Sequence, residues 1–329
     1  MTEAMTRAWK LLADIGATNA RFAACPGGER GDDSEWMPFT SAVADHAEFA
    51  GALDAFLDRL AARGGWHARP QAACIALAAP ISGDRARMIN APWELDRRAI
   101  AGHLGLEEVF LINDFEAIGH AVPALSPSDS EALDEASPDE RAPCIVLGAG
   151  SGLGLCLVVP TRSGQKVVAA EGGHVDLPAR TADERSLYAA LEQRFGHVSA
   201  ERVLSGPGLV YSYAHLAALD LTQAPSAAAI TTAALTGTDE TARRCVEMFC
   251  AFLGNVAANA ALTTGARGGV YIAGGIAPRL LPVLREGHYR RRFLDKGRYR
   301  NYLVGIPTRV ITHPAPGLLG ADAFLRANA

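Results

Sequence analysis

Lysine is almost missing from this chain: Lys10, Lys166 and Lys296 are the only three among 329 residues. A phosphate site is therefore not expected to depend on a lysine point charge, and no G-x-x-x-x-G-K-[ST] string occurs. Cysteine is sparse and scattered. The six, Cys25, Cys74, Cys144, Cys156, Cys245 and Cys250, form no C-x-x-C pair, which argues against a zinc ribbon or a disulfide framework and for buried reduced thiols. Before Asp14 the longest apolar run is Leu11-Leu12-Ala13, too little for a signal-peptide core of ~7–15 residues, so a cytoplasmic protein is expected. The apolar stretch 144–159 is broken by four glycines and a serine and is shorter than the ~20 residues that span a bilayer, so no membrane partner is expected.

What is present is ordinary globular material, with 49% hydrophobic and 20% charged residues. At ~150 residues per domain the length predicts two domains, each with a sizeable core. The 36 acidic residues outnumber the 31 basic ones and leave a net charge of −5, which points away from nucleic acid and toward small-molecule chemistry.

Two segments share one design. Lys10-Leu11-Leu12-Ala13 runs into Asp14-Ile15-Gly16-Ala17-Thr18-Asn19-Ala20-Arg21 and then apolar Phe22 to Cys25, which predicts a β-hairpin. Cys144 to Leu147 runs into Gly148-Ala149-Gly150-Ser151-Gly152-Leu153-Gly154 and a second strand, Leu155 to Val159. A Rossmann turn would place G-x-G-x-x-G and a helix there, and neither string nor order fits. Two strand-turn-strand loops, one per half, instead suggest a duplicated α/β protein gripping a nucleotide between its lobes, with glycine letting backbone N–H groups approach phosphate. A third segment, Gly269 to Ala273 followed by Gly274-Gly275-Ile276-Ala277-Pro278, reads as a buried strand, two glycines and a proline for a helix's first turn. Either a flat ligand or helix packing would explain that glycine pair.

Between these, the apolar run 73–79 and the segment 107–112, apolar from Val109, alternate with helical stretches, as in α/β proteins. Residues 126–140 carry six acids, four serines and two prolines without a basic residue and read as a solvated linker or surface loop near a domain change at 125. The basic and aromatic stretch 289–302 reads as a solvated or subunit-contact face rather than a nucleic-acid site.

Asn113-Asp114 ends an apolar run, where open α/β sheets place ligands; Asp114 could take a proton from an alcohol, or the pair could simply cap the next helix. Glu171-Gly172-Gly173-His174 is too glycine-rich for a helix and puts an acid and an imidazole on a bent loop suited to sugar hydroxyls. No H-E-x-x-H or calcium loop accompanies it. Ser199 reads as a helix cap, with Glu201 explained by the helix dipole when taken alone.

Taken in order, 14–21, 112–115, 148–154, Glu171-Gly172-Gly173-His174-Val175-Asp176, 197–208, Ala273-Gly274-Gly275-Ile276 and Pro316-Gly317-Leu318-Leu319-Gly320 resemble the bacterial glucokinase family almost end to end. The resemblance implies an actin-like, ribonuclease-H-like ATPase fold: a small α/β domain of residues 1–124 plus 313–329, a larger one of 125–312, and a cleft between them. It implies a homodimer that phosphorylates glucose with ATP and magnesium. Asp114 is implied as the base for the 6-hydroxyl, with Asn113, Glu171, His174 and Glu201, and more weakly Asn90, holding the other hydroxyls. The ATP site is implied at Ala13, Asp14, Ile15, Gly16, Ala17 and Thr18, at Gly148, Gly150, Ser151 and Gly152, and at Gly274 and Gly275 against the adenosine. Asp14 is implied to face hydrated magnesium, with no direct metal ligand.

The family's first loop usually has two adjacent glycines where this chain has Gly16-Ala17; were positive φ needed there, alanine would cost roughly 1 kcal/mol or more. The zinc motif of the wider repressor-kinase sugar family is missing. A kinase for mannose, fructose or an N-acyl hexosamine, and a sugar sensor without activity, are the rival expectations.

Overall fold

The computed structural model describes residues 7–27, 33–88 and 91–328. The chain forms two compact units, Met1–Leu125 with Pro314–Ala329, and Ser126–His313. The first begins with β1 (Trp9–Ile15), β2 (Asn19–Pro26), β3 (Met37–Ala42), α1 (Phe49–Arg63) and β4 (Ala72–Leu77). A small sheet of β5 (Ile81–Ser82), β6 (Arg85–Arg87) and β7 (Glu94–Asp96) leads to α2 (Arg97–Leu104), β8 (Phe110–Asn113) and α3 (Asp114–Ala121).

The main sheet of this unit has the order β3-β2-β1-β4-β8, antiparallel across its first three strands and parallel after them. It is buried on both faces, which is why its central strands read as nearly continuous apolar runs. With the period of two, Leu11, Ala13, Ile15 and Ile75 face an aromatic layer of Phe22, Phe49, Phe56 and Trp93, while Leu12, Cys74 and Ala76 face Ile112, Leu318 and Leu325. Phe22 and Phe56 stack with centroids 5.5 Å apart.

The second unit contains β9 (Ser130–Ala132), β10 (Cys144–Ala149), β11 (Leu153–Thr161), β12 (Gly164–Ala170), α4 (Ala182–Phe195), α5 (Gly206–Ala217), α6 (Ala227–Thr236) and α7 (Glu240–Thr264). It ends with β13 (Gly269–Ala273), α8 (Leu281–Arg285), α9 (His288–Leu294), α10 (Arg300–Val304) and β14 (Thr308–Ile311). Its sheet order, β12-β11-β10-β13-β14-β9, repeats that of the first unit strand for strand and adds an antiparallel edge strand. The chain then returns to the first unit as α11 (Pro316–Asn328).

Several local expectations change. The acidic stretch 126–140 is not simply a linker: it supplies β9, and Asp134 accepts the Thr308 N–H at 3.0 Å and pairs with Arg290 at 3.3 Å. The basic stretch is a solvated face only in part: Arg291 and residues 298–302 are exposed, whereas Tyr289 and Phe293 are fully buried and Arg292 binds the buried Glu184. Pro278 lies in a turn, and it is Pro282 that occupies the first turn of α8. The longest apolar element is α7, not residues 144–159; by length and composition it could cross a membrane, but two thirds of its apolar window (67%) is buried in the core of the second unit. All six cysteines are unpaired and buried, and burial pushes the thiols of Cys25, Cys74, Cys144, Cys245 and Cys250 upward.

Where α11 crosses α3, Gly320 packs so closely that a Cβ would overlap the Ala117 carbonyl oxygen. Backbone cannot swing aside as a side chain can, so Gly320→Ala is expected to destabilise the first unit by roughly 1–3 kcal/mol, read from urea unfolding.

Candidate active site

The first loop is the tip of the β1–β2 hairpin. Gly16 N–H donates to Asn19 O at 2.9 Å and Val43 N–H to Thr18 O at 2.9 Å, which closes the turn and leaves Ala17 and Thr18 at its apex. Ala17 does not have positive φ, so the strain expected from the missing glycine does not arise. Ala17→Gly is accordingly expected to leave the KM for ATP unchanged or to raise it through a looser turn; a clear tightening would show that the methyl obstructs phosphate.

Asp14 stands at the end of β1, next to buried Ala13 and Ile15, and pairing with β2 places it opposite Arg21. The guanidinium approaches its carboxylate at 3.4 Å, and a Cβ on Gly317, in the first turn of α11, would meet that carboxyl at 2.7 Å. Burial pushes the Asp14 carboxyl above its ordinary range, and Arg21 acts in the opposite direction. No local signal in the sequence marks Arg21 or Gly317; the hairpin register and the return of α11 give them their places.

The second loop joins β10 to β11. Gly150 N–H donates to Gly152 O and Gly206 N–H to Gly150 O, both at 2.8 Å, while Ser151 is exposed at the tip. The glycines here serve different ends. A Cβ on Gly148 would overlap the Ala273 carbonyl, and one on Gly274, which has φ +84°, would overlap the Ala149 carbonyl. These two therefore let the ends of β10 and β13 approach, so the pair after β13 is explained in part by a neighbouring strand rather than by a helix. Gly150 and Gly275 instead face open space, where backbone can meet a ligand. Within the second unit, the open space beside Gly150 and Gly275 lets backbone N–H groups meet an anion.

Asp114 is the first residue of α3, directly after β8. Asn113 caps that helix: its Oδ1 accepts from Phe115 N–H at 2.9 Å and Glu116 N–H at 3.2 Å, and Glu116 closes the box on Asn113 N–H at 3.4 Å. The cap uses Oδ1 and leaves the Asn113 Nδ2 group to meet a hydroxyl, so capping and ligand binding are compatible. Asp114 Oδ1 accepts the Phe115 N–H at 3.0 Å, which fixes the carboxylate at the helix start.

Glu171 precedes and His174 ends a single 3₁₀ turn, Gly172–His174, with Glu171 Oε2 3.8 Å from His174 Nε2 and both side chains exposed. Gly172 and Gly173 do more than bend the chain, since a Cβ on Gly173 would overlap the Leu153 carbonyl. The strand-like bridge from Asp176 to Ser199, the Ala200 N–H bond to Val175 O at 2.8 Å, and the His197–Asp176 pair at 2.8 Å bring 171–176 alongside 197–201. Ser199 makes no side-chain cap, and only a short 3₁₀ turn, Ala200–Arg202, follows it. Glu201 is held instead by Leu153, whose N–H donates to Oε2 at 2.9 Å. Asn90 lies outside the described residues.

Elsewhere, Glu247, Glu286 and His288 come together, but Arg243 bridges the two carboxylates and already supplies their positive charge.

The family described as Glucokinase matches residues 11–328. A glucokinase of Psychromonas ingrahamii is 38% identical over 320 residues, covering 97% of each chain. Among solved structures, a glucokinase from an Antarctic psychrotroph superposes with a TM-score of 0.81 at 32% identity, over 98% of this chain and 99% of that one. A glucokinase from Balamuthia mandrillaris, in complex with glucose, superposes with a TM-score of 0.80 over 100% of this chain and 96% of that one; at 21% identity it speaks to fold alone. The duplicated sheet order is thus that of the actin-like ATPases, and with a match extending from β1 to α11 the chain belongs to the glucokinase family.

Proposed function

We propose that this protein transfers the γ-phosphoryl group of ATP to the 6-hydroxyl of D-glucose. The observation that carries the reading is Asp114, held at the start of α3 by a complete capping box in a chain of this family. Its carboxylate accepts the hydroxyl proton as O6 forms its bond to the γ-phosphorus. The bond from that phosphorus to the bridging oxygen breaks, and ADP leaves. Asn113, Glu171, His174 and Glu201 hold the other hydroxyls, with Asn90 a further candidate, and so present O6 to the base.

With three lysines in the chain, backbone N–H groups take over much of the anion binding. The tips at residues 13–18 and 148–152 would cradle the phosphates, and Gly274-Gly275 would lie against the adenosine. Magnesium, when bound with the nucleotide, supplies positive charge to the transferring group; Asp14 would orient its water shell. Assembly as a homodimer and residence in the cytoplasm belong to the same reading; light scattering of the purified chain tests the first.

The direct test is glucose 6-phosphate formation with ATP and magnesium, with mannose, fructose and an N-acyl hexosamine assayed beside glucose. Glucose is expected to be the best acceptor, and ATP hydrolysis without sugar is expected to be far slower than transfer. Glucose binding without phosphorylation of any acceptor would replace the kinase by a sensor. Equal ATP consumption with and without glucose would refute the sugar dependence.

A further inference from the structure

Leu153 is where three parts of the second unit meet. Its N–H donates to Glu201 Oε2, its carbonyl is pressed against Gly173 of the Glu171–His174 turn, and it is the first residue of β11, directly after the loop that carries Gly150 and Ser151. Glu201 is further tied to the loop by the Cβ-free face of Gly152, since a methyl there would overlap Glu201 Oε2. The segment after Glu201 is fixed as well: Ser205 Oγ donates to the Glu201 carbonyl at 2.8 Å, and Gly206 N–H donates to Gly150 O. The side chain proposed to hold a sugar hydroxyl therefore hydrogen-bonds to the backbone at the end of the loop proposed to hold phosphate.

Resting on the sugar role proposed above for Glu201, we infer that this carboxylate is a positioning residue that couples the sugar to the phosphate loop through Leu153. One oxygen, Oε2, sets the conformation of the loop's exit; the other, Oε1, accepts from the sugar. A hydroxyl bound to Oε1 restricts the side chain's torsions, and the Leu153 bond passes that restriction to the loop. Sugar and nucleotide then each favour the same ordered arrangement, and each must tighten the other by the same factor. Gly152 is glycine on this account because the carboxylate needs the space. Gly150, which faces open space, has no such requirement from the protein.

Two substitutions separate the parts of this device. Glu201→Gln keeps an oxygen acceptor for Leu153 N–H while removing the charge. Gly152→Ala keeps the carboxylate but displaces it, and the far end of a flexible side chain can move without unfolding the protein. Glu201→Ala removes both functions.

The experiment is calorimetric titration of the full chain with the β,γ-imido analogue of ATP and magnesium, with and without saturating glucose, and of glucose alone. Without sugar, Glu201→Gln should bind the analogue within about twofold of the parent, whereas Glu201→Ala and Gly152→Ala should bind it about fivefold or more weakly. In the parent, glucose should tighten the analogue about fivefold or more, and in Gly152→Ala that factor should fall toward one. Parent-like analogue binding by both Glu201→Ala and Gly152→Ala would overturn the inference. The sugar role fails separately: if Glu201→Ala binds glucose as the parent does, Glu201 is not a sugar ligand, whatever the nucleotide titrations show.

Discussion

Asp114→Asn is expected to lower the rate of glucose phosphorylation by ~10²–10⁴ while leaving the melting temperature close to that of the parent. The two readouts separate because the local structure divides the labour. Asn113 and Glu116 form the cap of α3, so the start of the helix does not depend on the Asp114 charge. Asparagine can still accept the Phe115 N–H that Asp114 Oδ1 accepts. It cannot accept a proton from an alcohol at neutral pH, and that is the step lost. Initial rates at saturating glucose and ATP, with thermal melts of both proteins, check the result; full turnover in the variant would remove Asp114 from the mechanism.

Glu184→Ala should cost about 3–5 kcal/mol of stability, the range for stripping one partner from a buried ion pair, and lower the Tm by roughly 6–20 °C. The side chain of Glu184 is 2% exposed and that of Arg292 13%. The guanidinium binds both carboxylate oxygens, at 2.7 and 3.1 Å, and Arg180 and Thr181 N–H groups complete the shell at 2.7 and 3.2 Å. The same contacts form the capping box that starts α4 and tie it to α9. Alanine would leave Arg292 buried without its counter-charge. Burial alone would raise the Glu184 carboxyl, but the bonds from Arg292, Arg180 and Thr181 outweigh it and hold the group below its ordinary range. A carboxyl depressed by folding contributes stability above its unfolded pKa, about 4.3, and that contribution is lost as pH falls through the folded value. The penalty of Glu184→Ala should therefore be full at neutral pH and shrink in acid, measured by urea unfolding across that range.

Much of this molecule was legible in one dimension because its signals are local. The strand-turn-strand loops needed only alternating apolar runs and glycines, and the pair repeated in the two halves carried the duplicated design. Local signals also misled where a residue answers to a distant partner. Among the acids of 126–140, Glu131, Glu135 and Glu140 are indeed exposed, but the stretch also gives β14 an edge strand, and Asp134 gives Arg290 a counter-ion. Of the arginines of 289–302, which look like a surface, Arg291, Arg298 and Arg300 are exposed, but Arg292 is claimed by Glu184, far away in sequence. Ala17 looked costly because glycine usually signals positive φ, yet this turn closes without it.

By itself the sequence determined the class of fold, the two loops, the family and the residue types capable of the chemistry, since each is written in contiguous strings whose spacing sets local backbone geometry. Only the tertiary structure decided which glycines yield to a neighbouring strand and which face open space, that Arg21 and Gly317 attend Asp14, and that Glu201 is bonded to Leu153. Those are contacts between atoms remote along the chain. Their distances depend on how strands register and helices cross, which no short window of residues encodes.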